Sequence, residues 1–280
     1  MGNSIKTFIL IMLMTFIMLV VGNAVGGTEG TIVAFVIALV TNFVSYWFSD
    51  KIVLSMYRAV PLDSSHQVYK IVETLASRAN LPMPKVYLIN EAQPNAFATG
   101  RNPNHSAVAV TAGLLEMMNE NEIAGVLGHE LGHIHNRDIL ISSMAAVMAS
   151  AITFLSTMAR WGAVSGGNRR RNNNNGLILL VVSILAPIGA MLVRMAISRT
   201  REFKADKFGA EVSKNPLFLS SALEKLELGS QRIVMQANPA TENLFIVNPL
   251  SGDNLRNLFS THPSTKDRIK KLEEMTYVKN

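Results

Sequence analysis

The residues with the clearest chemical meaning are His129-Glu130-Leu131-Gly132-His133. On a helix, side chains four positions apart lie on the same face, so His129 and His133 can bind one metal ion. Glu130 stands one position after the first histidine, where it can act as a general base on a water molecule. Two imidazole ligands, a carboxylate base and an open coordination position are the arrangement of a zinc peptidase.

A catalytic zinc ion normally takes three ligands from the protein, so the sequence has to supply one more. Beyond His135 it holds one other histidine, His262, and its strongest carboxylate candidate is Glu202. Glu202 and Asp206 are four positions apart and would share one face of a helix. Glu202 can then bind the metal, while Asp206 accepts the N–H of a ligating imidazole and fixes its orientation. The alternative is that both acids are solvated charges in a run of mixed sign.

The composition points to a membrane protein. Of the 280 residues, 49% are hydrophobic and only 16% are charged, which is too apolar for an ordinary soluble enzyme of this length. The formal net charge is +6, but the basic residues are scattered or lie near apolar segments, and no nucleic-acid-binding module is present. They indicate membrane orientation and not nucleic-acid binding. The absence of cysteine excludes disulfides, thiolate ligands and a cysteine nucleophile.

Two apolar runs, at 7–22 and 30–49, predict a transmembrane helical hairpin over residues 1–50. The turn between the runs carries Glu29 and no Lys or Arg, which places both ends of the hairpin in the cytoplasm. A cleavable signal peptide at the first run is the alternative, because Lys6 precedes that run and small residues follow it.

A second pair of apolar runs, at 138–159 and 177–198, predicts a second hairpin over 138–198. The polar loop between these runs carries three arginines. The hairpin therefore either violates the positive-inside rule locally or is only partly inserted. Because two runs separate His133 from Glu202, an even number of crossings returns the chain to its starting side, so the two residues can meet at one metal.

The remaining residues have soluble composition and predict a catalytic domain in two parts, 51–137 and 199–280. The first part contains a helix at 66–79, several short strands and, after the capping residue Asn119, the helix that carries the histidine pair. The strands are predicted at 85–90, 95–100 and 106–111. These elements predict a mainly α protein: an α+β catalytic domain of zincin type, with the HExxH helix beside a small sheet, joined to multiple transmembrane helices.

Four segments of the chain carry a family resemblance that covers essentially the whole sequence. They are GHELGHIHNRD at 128–138, SRTREFKAD at 198–206, NAFATG at 95–100, and THP at 261–263 followed by RI at 268–269. In these motifs and their order the chain resembles the bacterial HtpX membrane peptidases and, more distantly, the eukaryotic CAAX prenyl proteases. The resemblance implies a gluzincin-type zinc endopeptidase that crosses the bacterial cytoplasmic (inner) membrane several times. It also implies a site that faces the cytoplasm and a role in the quality control of misfolded or damaged proteins.

By motif position, the resemblance implies one zinc ion per chain. The ligands and base that it implies are His129, His133, Glu202 and Glu130. It makes His262 the candidate donor to the oxyanion, as a second catalytic residue. Arg268 would orient the site or Glu202.

The segment at 95–100 would then be an edge strand that pairs with an extended substrate. The residues of this strand proposed to contact substrate are Asn95, Ala96, Phe97 and Ala98. Pairing of this kind reads the peptide backbone, so it predicts broad specificity for unfolded or misfolded proteins, membrane proteins among them. The lipid bilayer is the other expected partner.

Two other classes of function compete with an endopeptidase. One is a catalytically inactive membrane scaffold that keeps the fold and the metal, and the retention of Glu130 argues against it because metal binding does not need a base. The other is a transporter or metal carrier, which the scarcity of ionisable residues inside the apolar runs disfavours.

Overall fold

The computed structural model describes residues 3–165, 198–233, 238–247 and 263–277. The apolar run predicted at 177–198, apart from Ser198, lies outside the described residues, and so does His262. The helices are α1 Asn3–Met56, α2 Gln67–Arg78, α3 Ala112–Met117, α4 Glu120–His135, α5 Ile139–Ser165, α6 Arg199–Ser213, α7 Pro216–Arg232 and α8 Thr265–Tyr277, with a 3-10 helix at Pro239–Leu244. The strands are β1 Val60–Pro61, β2 Lys85–Ile89, β3 Ala96–Asn102 and β4 His105–Thr111.

The chain reverses direction within α1. Gly27 has a φ of +58°, in the left-handed region, and Asn42 Nδ2 donates to Thr15 Oγ1 at 2.9 Å. In a straight helix two residues so far apart in sequence would be separated by roughly 40 Å. The two limbs therefore lie side by side, and a methyl group at Gly22 would lie 2.4 Å from the Cβ of Ala34.

The apolar surface of α1 faces outward. Most of the exposed large hydrophobic side chains of the described residues lie on this helix, including Phe8, Phe16, Val33 and Phe43. Such a surface is typical of a helix in contact with lipid. The segment Gly27–Met56 is long and apolar enough to cross a membrane, whereas Ile5–Val20 and Ile139–Thr153 are shorter apolar helices.

A mixed four-stranded sheet with the order β1-β2-β4-β3 lies between helices α1 and α5 on one side and α2 and α4 on the other. Strand β4 is parallel to β2 and antiparallel to β3. Both faces of β4 are buried: Val108 and Val110 pack with side chains of α2 and α4, while Ala107 and Ala109 pack with side chains of α1 and α5. This alternation follows from the two-residue period of a strand. Strand β3 is left at one edge of the sheet, next to α4.

Helix α4 begins as the sequence predicts. Asn119 accepts a hydrogen bond from the Glu122 N–H at 3.0 Å, and Glu122 in return accepts from the Asn119 N–H at 2.9 Å, which forms a capping box. Glu122 is buried and also accepts from Ser221 and Lys225 of α7, each at 2.7 Å. These bonds join the start of α4 to α7.

We expect Glu122→Gln to lower the free energy of unfolding by about 1–2 kcal/mol at pH 7, because the buried group loses its charge-assisted bonds. Burial alone would raise the pKa of Glu122, but the bonds from Lys225, Ser221 and the Asn119 N–H lower it below its ordinary value of 4.5. Its stabilising effect is therefore complete above pH 4.5 and is lost as the pH falls through the folded-state pKa. Thermal melts in detergent should show the largest gap from wild type at neutral pH. The exposed Glu120→Gln is the control, and an equal effect in both variants at every pH would contradict the prediction.

Candidate metal centre

The site depends on two helices that touch at their backbones. A methyl group at Gly209 of α6 would lie 2.7 Å from the backbone nitrogen of His129 on α4, and one at Gly132 would lie 2.9 Å from the Cα of Ala205. Contacts this short require glycine, because any Cβ would push the helices apart. The close approach brings one face of α6, with Glu202 and Asp206, onto the histidine face of α4.

Three side chains converge at this crossing. His129 Nε2 lies 3.2 Å from His133 Nε2 and 3.7 Å from Glu202 Oε2. His133 Nε2 lies 3.6 Å from Glu202 Oε1. The structure thus brings together the two histidines of the HExxH motif and Glu202, although Glu202 lies far from them in the sequence.

The donor set and its spacing fit a zinc ion. Two imidazoles and one carboxylate are a ligand set typical of catalytic zinc, and ligand atoms around a tetrahedral zinc lie roughly 3.3 Å apart. The observed separations of 3.2–3.7 Å agree with this. Within the described residues, His129, His133 and Glu202 form the one group with these properties.

A carboxylate and an arginine fix the orientation of the first histidine. His129 Nδ1 lies 2.8 Å from Asp206 Oδ1, and Arg268 donates to the same carboxylate from Nε at 2.9 Å and from Nη2 at 2.6 Å. Arg268 also donates to the Ile246 carbonyl at 3.0 Å. With Nδ1 protonated toward Asp206, the Nε2 lone pair of His129 is directed at the metal position.

The second histidine has a carboxylate partner of its own, which sequence reasoning missed. Helix α4 ends at His135, and Arg137 then takes a left-handed φ of +57°. The turn allows the Asp138 N–H to donate to the His133 carbonyl at 2.9 Å and places Asp138 Oδ2 3.3 Å from His133 Nδ1. The sequence signal that could have predicted this partner is the carboxylate of Asp138 in the turn directly after the HExxH helix.

The two histidines have opposite pKa shifts. Burial, with the positive charge of Arg268, lowers the pKa of His129 to about 4, so it is neutral at pH 7. Burial would also lower the pKa of His133, but the carboxylates of Glu202 and Asp138 raise it to about 9. A metal ion binds the neutral imidazole, so a cation at this site competes with a proton on His133 and binds less tightly at low pH.

Glu130 is buried beside the three candidate ligands but is not one of them. Its Oε1 has no hydrogen-bond partner among the described residues. Burial raises the pKa of Glu130 to about 7, and the negative charge of Glu202 adds to the effect against the opposing charges of His133 and Arg268. A carboxylate with this pKa can take up and release a proton near neutral pH.

Glu130 and the ligands line one cavity, whose volume open to water is about 20 Å³, enough for one or two water molecules. The segment Asn243–Ile246 forms part of its wall, together with Ala98 of β3 and Arg201 of α6. Sequence reasoning assigned no role to Asn243 or Arg201.

Strand β3 borders the cavity only in part. Ala98 lines it, but the carbonyl of Ala96 accepts from the Ile246 N–H at 3.2 Å. Asn95 is buried and donates from Nδ2 to the Val247 carbonyl at 3.0 Å. Phe97 points to the opposite face of the sheet. The edge of β3 is therefore occupied beside Ala96 by the chain's own segment.

Comparison with known proteins identifies the family. Residues 63–276 match the profile of peptidase family M48. The chain belongs to this family. It is 53% identical over 277 residues to a "Protease HtpX homolog" of Desulforapulum autotrophicum, covering 97% of this chain and 90% of the relative. The identity to the homologue of Syntrophobacter fumaroxidans is also 53%, over 282 residues that cover 98% and 100% of the two chains.

A solved structure shares the fold. The crystal structure of S. mikatae Ste24p matches with a TM-score of 0.52 at 18% identity, covering 96% of this chain and 67% of that one. As an M48 member, the chain is a membrane zinc metallopeptidase, and its substrates are peptides or proteins. The resemblance to HtpX peptidases and the expectation of zinc are confirmed.

For the M48 site, we expect Gly209→Ala to weaken zinc binding by roughly tenfold to a hundredfold, because the new methyl group moves α6 and its carboxylates away from the histidines. Competition with a zinc-selective chelator would measure the affinity. Gly125→Ala is the matched control: its methyl group would lie 2.6 Å from the backbone nitrogen of Leu219 on α7, and α7 holds none of the three candidate ligands. Both variants should melt earlier than wild type, but only the first should lose zinc affinity. Wild-type zinc affinity in Gly209→Ala would show that the close approach is not what positions the ligands.

Proposed function

We propose that this chain is a zinc-dependent endopeptidase of the bacterial cytoplasmic membrane that degrades misfolded or damaged proteins, with its site facing the cytoplasm. The observation that carries the proposal is the position of Glu130. Its carboxylate, with Oε1 lacking a partner among the described residues, lines the same cavity as the three candidate ligands. A hydrolytic metal site needs a carboxylate base beside the ligands, and Glu130, whose Oε1 has no partner among the described residues, is in the position to serve as one.

In this proposal the zinc ion is held by His129, His133 and Glu202. The imidazole of His129 is oriented by Asp206, which Arg268 supports, and the imidazole of His133 is oriented by Asp138. The bound zinc would act as a Lewis acid that polarises the scissile carbonyl and activates water. No other protein group is needed to complete the ligand set.

Glu130 provides the proton transfer. Glu130 lines the cavity, and its Oε1, which has no partner among the described residues, can accept the proton of a water molecule as the water oxygen attacks the peptide carbonyl. The same carboxyl can then release the proton to the leaving amine, and a pKa of about 7 suits both directions. His262 remains the proposed donor to the oxyanion, by its place in the motif.

The edge of β3 is the proposed binding strand for substrate. In the antiparallel pairing of β3 with β4, Ala96 and Ala98 are opposite Val110 and Val108, and the Ala96 carbonyl already bonds outward, away from β4. Ala98, two residues on, has the same orientation and lines the cavity. A substrate in extended form would pair there through its backbone, which supports broad specificity and a need for unfolded segments.

The surroundings of β3 support substrates at the membrane surface. At the end of the strand, the Arg101 guanidinium lies 4.4 Å from the ring centroid of Trp47 on α1. Trp and Tyr favour the membrane–water interface, so the Arg101 end of the binding strand would lie at the level of the lipid headgroups. This position suits segments of membrane proteins that have left the bilayer, as well as unfolded cytoplasmic chains.

We expect Glu130→Gln to keep its zinc and to cleave an unfolded protein at least about a hundredfold more slowly than wild type, because it removes the base and leaves the ligands. The assay would use detergent-purified protein, with bound zinc measured in the same samples and a chelator as a negative control. The exposed Glu120→Gln on the same helix should cleave at the wild-type rate. Zinc in both proteins with no cleavage by wild type would favour the alternative function, a catalytically inactive metal-binding scaffold.

The proposed topology can be tested separately, because the chain has no cysteine of its own. We expect Glu29→Cys, in the reversal of α1, to react with a membrane-impermeant maleimide added to spheroplasts. Ser64→Cys, in the exposed loop before α2, should react only after the membrane is opened. Labelling of Ser64→Cys in closed spheroplasts would place the catalytic domain outside the cytoplasm.

A further inference from the structure

Arg201 is a buried cation with unused donors. It is 9% exposed, and within the described residues neither Nη1 nor Nη2 has a hydrogen-bond partner. Its closest anion is Asp138, whose Oδ1 lies 3.8 Å from Nη1, within ion-pair distance but beyond hydrogen-bond range. A buried guanidinium usually has its donors satisfied, so these donors indicate a missing acceptor.

Asn243 presents a complementary group to the same cavity. It is also buried, at 7% exposure, and its Nδ2 donates to the Ser142 carbonyl at 3.1 Å. Because a carbonyl can only accept, this bond fixes which end of the amide is which. Oδ1 is therefore an acceptor, and it has no partner among the described residues.

Both side chains line the cavity that holds His129, His133, Glu202 and Glu130. The cavity wall thus offers unpaired donors on one side chain and an unpaired acceptor on another. A peptide group carries one carbonyl acceptor and one N–H donor. A substrate backbone beside the metal is the ligand that satisfies both without bringing a charge into the site.

We propose that Arg201 and Asn243 form a backbone-binding subsite of the active site. The Arg201 guanidinium donates to a substrate carbonyl next to the scissile bond, and Asn243 Oδ1 accepts a substrate N–H. This inference rests on the proposed endopeptidase function. It adds to the pairing along β3 a second set of backbone contacts on the α6 side of the metal, and it gives the enzyme affinity for extended chains of any sequence.

The first test compares Arg201→Met with Arg199→Met, its exposed neighbour at the start of α6. Arg201→Met should lower kcat/KM for an unfolded protein by about tenfold to a hundredfold, the usual effect of losing a hydrogen bond to a charged group. Arg199→Met should match wild type, and zinc content should be the same in all three proteins. Loss of zinc in Arg201→Met would mean that Arg201 supports Glu202 or Asp138, and would overturn the proposal. Arg201→Lys keeps the buried charge and serves if the methionine variant does not fold.

The second test measures binding without turnover. In the Glu130→Gln background, a fluorescein-labelled peptide that wild type cleaves would be compared with copies in which one backbone amide at a time is replaced by an ester. An ester lacks the N–H and has a weaker carbonyl acceptor. The peptide with an ester at one particular position should bind about tenfold more weakly than the all-amide peptide. In the Asn243→Ala or Arg201→Met variant, the ester and all-amide peptides should bind equally at that position.

Each outcome of the ester series decides the proposal. Equal sensitivity to every ester in the parent protein and both variants would show that neither residue contacts the backbone. If wild type cleaves and holds zinc, but neither substitution changes the effect of any ester on binding, only the subsite is refuted. If wild type neither cleaves nor holds zinc, the proposed function itself fails.

Discussion

The approach of α4 to α6 at backbone distance is the constraint on which the site depends. The candidate ligands are divided between these helices, and a zinc ion tolerates little error in the separation of its ligands. Gly128 and Gly132 on α4 meet Gly209 and Ala205 on α6, so the axes can lie closer than larger side chains would allow. The glycines lower the helical propensity of both segments. Tertiary packing has to offset the lower helical propensity, and α4 packs against the sheet on one side and against α7 on the other.

Close packing also creates an electrostatic problem that the site resolves by pairing. Charged groups beside the metal position are almost fully buried, and isolated buried charges are strongly unfavourable. Each histidine of the candidate metal site faces a carboxylate, and each of these carboxylates lies near an arginine. Asp206 has the guanidinium of Arg268 in a two-point hydrogen bond, while Asp138 has Arg201 only at ion-pair distance. The first pair is complete, whereas within the described part of the chain the second leaves two nitrogens of Arg201 without an acceptor, which is why the substrate subsite is inferred there.

Local signals in the sequence were sufficient for much of this arrangement. The capping box at Asn119 and the spacing of His129 and His133 are properties of one helix, and the three strands between 85 and 111 follow from short β-favouring runs between turn residues. Asp138 was missed because its role depends on one left-handed residue after the helix. Asn243 was missed for a stronger reason: its segment has no periodic pattern, and only the tertiary fold brings it to the cavity. The multiple crossings of the membrane stay a prediction.

The sheet connects the candidate metal site to the apolar helix α1. Strand β3 contacts α4 at the cavity and also contacts α5 and α1: Thr99 Oγ1 lies 2.7 Å from Ser143 Oγ of α5, and the Arg101 guanidinium lies 4.4 Å from the ring centroid of Trp47 on α1. With Trp47 at the membrane surface, as proposed, the distance from the candidate metal site to that surface would be set by the length of β3, about 3.3 Å per residue. For a substrate paired along β3, the strand would fix the number of residues between the membrane surface and the scissile bond. Cleavage would then be restricted to chains that can extend several residues away from the lipid, which folded membrane proteins cannot do.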